Sequence, residues 1–287
     1  MFSGVFVAII TPFKDGAVDE PVLRDLIEWQ ISEGIDGIVP CGTTGEAATL
    51  TDAERARVIR CAVEVARKRV PVIAGAGTNA TAKAITLSEL AVEAGADGLL
   101  HVTPYYNKPT QEGMYQHFAA VARVAKRPIV LYNVPSRTGV NLLPETVGRL
   151  AKLQNIVGLK DASNSLVQAT ETLTVVSPGF CCLSGEDTLN LPLYQLGYRG
   201  AISASANALP AKIARQWDAF QTGRLAEALA LHQELQPLVQ ALFMESNPIP
   251  VKTVLAWQGR CREEFRLPLT PMSEPNKVRL REACKSL

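Results

Sequence analysis

Eight short apolar runs, separated by stretches of helical periodicity, are the feature of this sequence that most limits its possible folds. The runs are rich in branched apolar residues and recur at roughly 30-residue spacing, which is the length of one strand-helix unit. They lie at residues 5–10, 37–40, 71–76, 98–103, 128–134, 156–162, 180–184 and 200–206. Continuous apolar runs are typical of parallel strands that are buried on both faces. The pattern therefore predicts an α/β fold, a (β/α)8 or TIM barrel.

The stretches between the runs support this prediction. Residues 52–63 follow Thr51, and Glu54 stands three residues further on, which is the pattern of a capping box at a helix start. Residues 91–98 end a helix on glycine and lead into the fourth strand. A doubly wound sheet is the structural alternative, but the sequence has no Gly-x-Gly-x-x-Gly turn after a strand.

The pattern changes after the eighth run. From residue 210 onward only helical periodicity remains, at residues 212–222, 224–243, 250–257 and 273–284. The last helix of the barrel must come from this region. We predict a barrel catalytic domain over residues 1–225 and a small C-terminal helical appendage, or subdomain, over residues 226–287.

Composition narrows the range of partners. The 287 residues carry a formal net charge of +1, which provides no general electrostatic field for nucleic acid or an anionic membrane. A small-molecule partner is therefore predicted, with no nucleic acid and no membrane. The N-terminal residues do not resemble a signal sequence, and no apolar run reaches membrane-spanning length, so a cytoplasmic location is expected.

Cysteine and histidine spacing argues against two other classes of site. The six cysteines form no Cys-x-x-Cys pair, and the three histidines are isolated in the sequence. We therefore expect neither a disulfide framework nor a metal site. A reactive Cys41, just before a Gly-Thr-Thr turn, is an alternative nucleophile, although no histidine lies near it in the sequence.

Lys160, near the end of the sixth run, is the candidate nucleophile. Side chains alternate along a strand, so Lys160 should share a face with Gly158 and Ile156, while Asp161 should point to the opposite face. An amine held in an apolar pocket without a carboxylate neighbour gives up its proton more readily than in water and can attack a carbonyl carbon. The alternative is a surface lysine whose ammonium group remains in water.

Polar residues at other strand ends fit the same chemistry, because barrel enzymes bind substrates at the carboxyl ends of their strands. The turn at residues 42–46 has the sequence GTTGE, whose backbone and hydroxyl donors suit a small anion. Tyr132 should share a face with Val130 and Val134, inside the barrel beside Lys160, where a phenol can transfer protons. Arg137 has the fork geometry for a carboxylate. Each residue also has a simpler interpretation: the GTTGE segment could be a plain turn, Tyr132 could only pack in the core, and Arg137 could form a surface ion pair. Taken together, however, these residues predict Schiff-base chemistry on a short keto acid.

Four motifs together resemble the dihydrodipicolinate synthase family of the pyruvate-dependent class I aldolase and lyase superfamily. They are GTTGE at residues 42–46, YNVPSRTG at 132–139, the Gly-Leu-Lys strand end at 158–160 and NPIPVK at 247–252. The likeness runs from residue 5 to residue 271. It implies condensation of pyruvate with L-aspartate 4-semialdehyde to 4-hydroxy-tetrahydrodipicolinate, in lysine and diaminopimelate biosynthesis. It also implies a homotetramer, a dimer of dimers, that needs no metal and no organic cofactor.

The resemblance also implies catalytic roles for four residues. Lys160 would form the imine with pyruvate, and Tyr132 would transfer protons. Thr43, together with a Tyr106 that reaches in from a neighbouring subunit, would complete the proton relay.

Four further residues would bind the substrates. Thr44 would hold the carboxylate of pyruvate, and Arg137 would receive the carboxylate of aspartate semialdehyde at the entrance. Gly185 and Ile202 stand where the family lines the site with backbone groups.

Two positions depart from the pattern of the lysine-inhibited relatives. Those relatives have an acidic residue and a histidine in an effector pocket where this chain has Lys83 and Arg55, although Asn79 and Tyr105 match. Two unit charges at ~4 Å repel by about 1 kcal/mol in water and by more where water is excluded. We therefore predict that inhibition by lysine is weak or absent.

Two rival functions remain open at this point. A sister enzyme would cleave or form a sialic acid or a 2-keto-3-deoxy sugar acid through the same imine. Arg137 in its Ser-Arg-Thr-Gly setting argues against it, because a polyol tail calls for neutral hydroxyl partners rather than a second anion contact. A non-catalytic keto-acid sensor is the other rival, and measurable turnover would exclude it.

Overall fold

The barrel strands lie where the apolar runs predicted them, and each is shorter than its run. The computed structural model describes residues 2–285. The strands of the barrel are β1 (Gly4–Ala8), β4 (Gly37–Val39), β5 (Ile73–Gly75), β6 (Gly98–Val102), β7 (Ile129–Asn133), β8 (Ile156–Asp161), β9 (Cys181–Ser184) and β10 (Gly200–Ser203). A small antiparallel hairpin that we did not predict, β2 (Phe13–Lys14) and β3 (Ala17–Val18), follows the first barrel strand.

All eight barrel strands run parallel, in the order β4-β1-β10-β9-β8-β7-β6-β5. A parallel bridge between Ile38 and Val72 joins the two ends of this order and closes the barrel. The predicted barrel is therefore confirmed, and the doubly wound alternative is wrong. Because every strand points the same way, all the carboxyl ends open on one face.

Helices lie between successive barrel strands along the chain and after the last strand. They are α1 (Glu20–Ser32), α2 (Asp52–Ala66), α3 (Thr81–Glu93), α4 (Gln111–Val124), α5 (Pro135–Thr138), α6 (Pro144–Leu150), α7 (Leu166–Val175), α8 (Asn190–Leu196), α9 (Pro210–Gln221), α10 (Leu225–Ala241), α11 (Ile249–Trp257) and α12 (Glu274–Cys284). The capping box of Thr51 and Glu54 starts α2 as predicted. Helix α9 packs against β1 and α10; the domain boundary after residue 225 stays a prediction.

The apolar core has two layers, one on each side of the barrel strands. The inner layer fills the barrel and includes Phe6, Val130, Tyr132, Leu183 and Ile202. The outer layer lies between the strands and the helices, and residues of α10, α11 and α12 also belong to it. The position of a strand residue in one layer or the other therefore decides whether its side chain reaches the barrel interior.

A bulge between β7 and β8 corrects one detail of the predicted alternation. The register passes from Ile129 opposite Ile156 to Val130 opposite Gly158, so Val157 is skipped. Ile156 consequently belongs to the outer layer and does not share a face with Lys160. Our prediction for Ile156 was wrong because an extra residue in one strand shifts the alternation on one side of the bulge.

No helix within residues 2–285 has the length and apolar character needed to cross a membrane.

Candidate active site

A cavity of about 130 Å³ lies at the carboxyl ends of the strands and gathers most of the predicted site residues. Its walls are Thr43, Thr44, Tyr132, Val134, Ser136, Arg137, Lys160, Ala162, Gly185, Glu186, Ile202, Ala204, Phe243 and Asn247. Seven of the eight residues singled out from the sequence are in this set, and Tyr106 is the exception. Residues from several strand ends therefore meet in one place.

Lys160 is buried in this cavity, with 6% of its surface exposed. Its register partners are Tyr132 on β7 and Leu183 on β9, which both belong to the inner layer. The Lys160 Nζ lies 4.3 Å from the centroid of the Tyr132 ring. Within residues 2–285 the Lys160 amine has no ion-pair partner and no hydrogen-bond partner. It is therefore a buried amine that faces a cavity with an aromatic ring as its close neighbour.

The neighbouring acid points away from Lys160, as predicted. Asp161 Oδ2 accepts a hydrogen bond of 2.8 Å from the Tyr198 hydroxyl, and Oδ1 accepts one of 2.9 Å from the Ser163 backbone N–H. Burial and the adjacent Asp161 carboxylate raise the pKa of Tyr198 well above its ordinary value. Asp161 is thus satisfied on the outer side of β8 and leaves Lys160 without a counter-ion.

Thr44 and Arg137 are both linked to a residue that we did not predict, Asn247. The Asn247 Nδ2 donates to the Thr44 Oγ1 at 2.8 Å, and the Asn247 backbone oxygen accepts from the Arg137 Nη2 at 3.3 Å. Thr44 is buried, whereas Arg137 lies exposed at the rim. The two candidate anion-binding groups therefore occupy the inner and outer parts of the site.

Gly185 and Ile202 line the wall on the far side of Lys160. A Cβ atom added at Gly185 would lie 3.0 Å from the Lys160 Cε, so a glycine here leaves room for the lysine side chain. Ile202, on β10, is 1% exposed and belongs to the inner layer. Both residues thus limit the space around the amine.

A second cavity of about 340 Å³ adjoins the first and shares five lining residues with it, Thr43, Tyr132, Val134, Arg137 and Asn247. Arg55 and Tyr105 line this larger cavity. The Arg55 guanidinium donates to the Ala47 backbone oxygen at 2.5 Å. These residues lie beside the cavity around Lys160 but outside it.

Tyr106 is not brought to the site within one chain. It is 88% exposed and has a φ of 73°, in the left-handed region that a tyrosine rarely adopts. An exposed tyrosine held in an unfavourable backbone conformation fits a residue with a partner elsewhere. Its role across an interface stays a prediction.

A buried ion pair behind the GTTGE turn was also missed from the sequence. The Lys252 Nζ lies 2.5 Å from the Glu46 Oε1, and both side chains are almost completely buried. Burial lowers the pKa of Lys252, and the Glu46 carboxylate opposes that shift. Glu46 ends the GTTGE motif and Lys252 ends the NPIPVK motif. The two residues are 206 positions apart, so nothing in the sequence indicated that they bind each other.

Two alternative kinds of site gain no support. Burial raises the pKa of the Cys41 thiol to about 12, so the thiol stays protonated at neutral pH and the hypothesis of a reactive Cys41 is disfavoured. Across residues 2–285 no three His, Cys, Asp or Glu side chains cluster closely enough to hold a metal ion.

Comparison with known proteins finds similar sequences and similar structures. The model of the dihydrodipicolinate synthetase family matches residues 1–287. The 4-hydroxy-tetrahydrodipicolinate synthase of Syntrophus aciditrophicus is 54% identical over 286 residues, which are 100% of this chain and 98% of that protein. The crystal structure of dihydrodipicolinate synthase from Aquifex aeolicus has a TM-score of 0.97 and 46% identity, covering 99% of this chain and 97% of that one. A solved structure described as a monomeric dihydrodipicolinate synthase variant has a TM-score of 0.98 and 41% identity, covering 99% and 96%.

Proposed function

Because this chain belongs to the dihydrodipicolinate synthetase family, we propose that the cavity around Lys160 is where it performs the reaction of that family. The chain is a lyase that condenses pyruvate with L-aspartate 4-semialdehyde to 4-hydroxy-tetrahydrodipicolinate, in lysine and diaminopimelate biosynthesis. The observation that carries the proposed site is the buried, unpaired Lys160 amine, 4.3 Å from the Tyr132 ring centroid. Such an amine is free to act as a nucleophile.

The proposed reaction proceeds through an imine. The Lys160 amine attacks the keto carbon of pyruvate, and water leaves as the imine forms. Loss of a proton from the pyruvate methyl group gives an enamine, whose carbon attacks the aldehyde carbon. The amino group of the second substrate then displaces Lys160 from the imine carbon, which closes the ring and frees the lysine. The net change is the loss of one water molecule, with no transfer of electrons.

The other residues have separate tasks in this scheme. Tyr132 transfers protons to and from the carbinolamine, because its ring lies against Lys160. Thr43 extends the relay, and Tyr106 of a neighbouring subunit completes it. The Thr44 hydroxyl binds the pyruvate carboxylate deep in the cavity, and Arg137 binds the second carboxylate at the rim. Gly185 and Ile202 shape the space around the imine.

Assembly and location belong to the proposal as well. The homotetramer places Tyr106 of one subunit at the Lys160 site of another, which agrees with its exposure in the single chain. One similar structure is described as a monomeric variant, so the oligomeric state needs its own measurement. The cytoplasmic location stays a prediction from the sequence.

Borohydride trapping tests the imine directly. The protein is incubated with pyruvate and reduced with borohydride, which converts an imine into a stable secondary amine, and the modified peptide is located by mass. We expect one pyruvate-dependent adduct, on Lys160. Lys252 is an internal control, because it is also buried but is paired with Glu46. Folded protein without an adduct on Lys160 would refute the proposal and favour a keto-acid sensor.

An Arg137→Ala variant separates the proposed substrate from a sugar acid. Arg137 lies at the rim, so its loss should weaken the use of aspartate semialdehyde by roughly 10-fold or more, while pyruvate trapping on Lys160 changes little. KM values for both substrates and the trapping rate are the measurements. Equal loss of both activities would contradict the assignment of Arg137.

Weak inhibition by lysine is retained as a prediction. Lys83 lies 2.5 Å from the Asp52 carboxylate, a surface pair that only partly offsets its charge, and Arg55 has no carboxylate partner within residues 2–285. A lysine ammonium would therefore still meet a net positive environment. Initial rates with added lysine test this, and inhibition at micromolar concentrations would overturn it.

A further inference from the structure

Asn247 contacts both candidate carboxylate-binding residues, although it belongs to the C-terminal part of the chain. It is 6% exposed and lies just before α11. Its side-chain Nδ2 donates to the Thr44 Oγ1 at 2.8 Å, whereas its backbone oxygen accepts from the Arg137 Nη2 at 3.3 Å. The side chain thus acts on the inner end of the cavity and the backbone on the outer end.

The direction of the contact with Thr44 decides what the threonine hydroxyl can do. A hydroxyl has one proton to donate and lone pairs that accept. Because the Asn247 amide donates into the Thr44 oxygen, the Thr44 proton is not used in this contact. Within residues 2–285 the Thr44 hydroxyl donates to no protein group. Its proton is therefore available to an acceptor in the cavity.

A second link fixes the two segments that carry these residues. Two positions after Thr44, Glu46 forms the buried ion pair with Lys252, which lies on α11. The segments at residues 44–46 and 247–252 are thus joined by a hydrogen bond at one end and a buried ion pair at the other. This arrangement keeps the Asn247 side-chain amide next to the Thr44 hydroxyl.

We propose that Asn247 is a positioning residue that keeps the Thr44 hydroxyl proton directed at the carboxylate of the bound keto acid. The inference rests on the proposed function, in which Thr44 binds that carboxylate. It assigns no bond making or breaking to Asn247. Asn247 acts only by setting the direction of hydrogen bonding. Its amide donates to the Thr44 hydroxyl, and the hydroxyl in turn donates to substrate.

The test compares Asn247→Asp with Asn247→Ala. Aspartate has nearly the same shape as asparagine, but an ionised carboxylate can only accept, so it would accept the hydrogen bond that the Thr44 hydroxyl otherwise donates to substrate, and it would also repel the keto-acid carboxylate. We expect the pyruvate concentration for half-maximal borohydride trapping to rise about 100-fold in Asn247→Asp and about 10-fold in Asn247→Ala. The KM for aspartate semialdehyde should rise less in both, because Arg137 contacts the backbone oxygen that both variants keep.

If Asn247 only packed against its neighbours, Asn247→Ala should impair pyruvate trapping more than Asn247→Asp, because alanine removes more atoms than aspartate does. If Asn247→Ala is impaired as much as Asn247→Asp or more, the proposal is wrong. The pH dependence provides a second readout. Protonation of the carboxylate introduced by Asn247→Asp restores a donor, so the impairment of that variant relative to the unmodified protein should shrink as the pH falls. An impairment that does not change with pH would also contradict the proposal.

Two controls keep the outcomes distinct. Gln221→Glu adds the same negative charge at the end of α9, which returns to the opposite face of the barrel, and should leave pyruvate trapping unchanged. Urea unfolding of each variant reports any loss of stability. Failure of the unmodified protein to trap pyruvate would refute the proposed function itself, whereas normal trapping with the wrong order of the two variants would refute only the role of Asn247.

Discussion

Two buried lysines in this chain have opposite surroundings, and the difference separates reactivity from structure. Lys252 is fully buried, lies 2.5 Å from Glu46, and donates to the Glu264 backbone oxygen at 2.9 Å. Lys160 is nearly as buried, yet within residues 2–285 its amine has no carboxylate and no hydrogen-bond partner, and the centroid of the Tyr132 ring lies 4.3 Å away. A buried amine that is held by a carboxylate and a carbonyl partner serves the fold. An amine without such partners is available for chemistry.

Tyr132 offers a test at the same scale. A Tyr132→Phe variant keeps the ring beside Lys160 but removes the hydroxyl that transfers protons. We expect kcat to fall by about 100-fold to 10,000-fold, the usual contribution of a general acid or base, with the midpoint of thermal unfolding nearly unchanged. Steady-state rates and thermal unfolding are the measurements. A kcat within a few-fold of the unmodified enzyme would assign proton transfer to another group.

At the scale of elements, the buried pair of Glu46 and Lys252 joins the loop after β4 to helix α11. Lys252→Met replaces the lysine by an apolar side chain of similar length and leaves the Glu46 carboxylate buried without its partner. Breaking a buried pair in this way costs about 3–5 kcal/mol of the free energy of unfolding. Urea denaturation should show that loss. The double variant Glu46→Gln/Lys252→Met should recover most of it, and failure to recover would mean that the lysine contributes mainly by packing.

Two buried histidines connect neighbouring elements, His101 joining β6 to α3 and His117 joining α4 to α3. The His101 Nε2 lies 3.1 Å from the Ser88 Oγ of α3, and the His117 Nδ1, on α4, lies 2.9 Å from the Thr81 Oγ1. Burial lowers the pKa of His101 to about 3, with a smaller contribution from His117, and burial lowers the pKa of His117 to about 4. Both rings therefore remain neutral in the folded protein at mildly acidic pH.

This arrangement predicts how stability depends on pH. In the unfolded chain the two imidazoles bind protons near pH 6.5, whereas in the folded protein they do so only near pH 4 and pH 3. Between these values the unfolded state binds more protons, so the free energy of unfolding falls as the pH falls below about 6.5. Between pH 6 and pH 4.5, His101→Gln should reduce that slope by up to about 1.4 kcal/mol per pH unit. Urea denaturation at several pH values measures the slope, and the half-buried His232 provides the comparison variant. An unchanged slope in His101→Gln would show that this ring does not titrate as described.

At the scale of the whole molecule, one chain supplies every candidate site residue except Tyr106. Tyr106 is 88% exposed and has a left-handed backbone conformation, and in the proposed function it completes the site of a second subunit. Subunit mixing tests this. Lys160→Ala and Tyr106→Phe should each be nearly inactive alone, but random mixing in symmetric dimers should restore about a quarter of the sites, because one site in each mixed dimer has both intact residues. Activity assays after mixing, with sedimentation to establish the oligomer, are the measurements, and no recovery from a mixed oligomer would place Tyr106 outside the partner's site.

The sequence by itself determined the architecture and indicated where the candidate site lies. Eight apolar runs of strand length at about 30-residue spacing favour a closed parallel sheet with helices outside, so the barrel and the direction of Tyr132 and Lys160 could be predicted from periodicity. The capping box at Thr51 and Glu54 was equally local, because a helix start depends on residues within one turn.

Only the tertiary structure decided contacts between distant segments. Asn247 meets Thr44 across 203 positions, and Lys252 meets Glu46 across 206, so no local pattern could reveal either pair. The bulge that moves Ile156 to the outer layer likewise depends on how β8 pairs with β7, not on the residues of β8 alone. Periodicity reports the environment of a residue along one element, whereas the partner of a side chain is set by the packing of elements that are remote in the sequence.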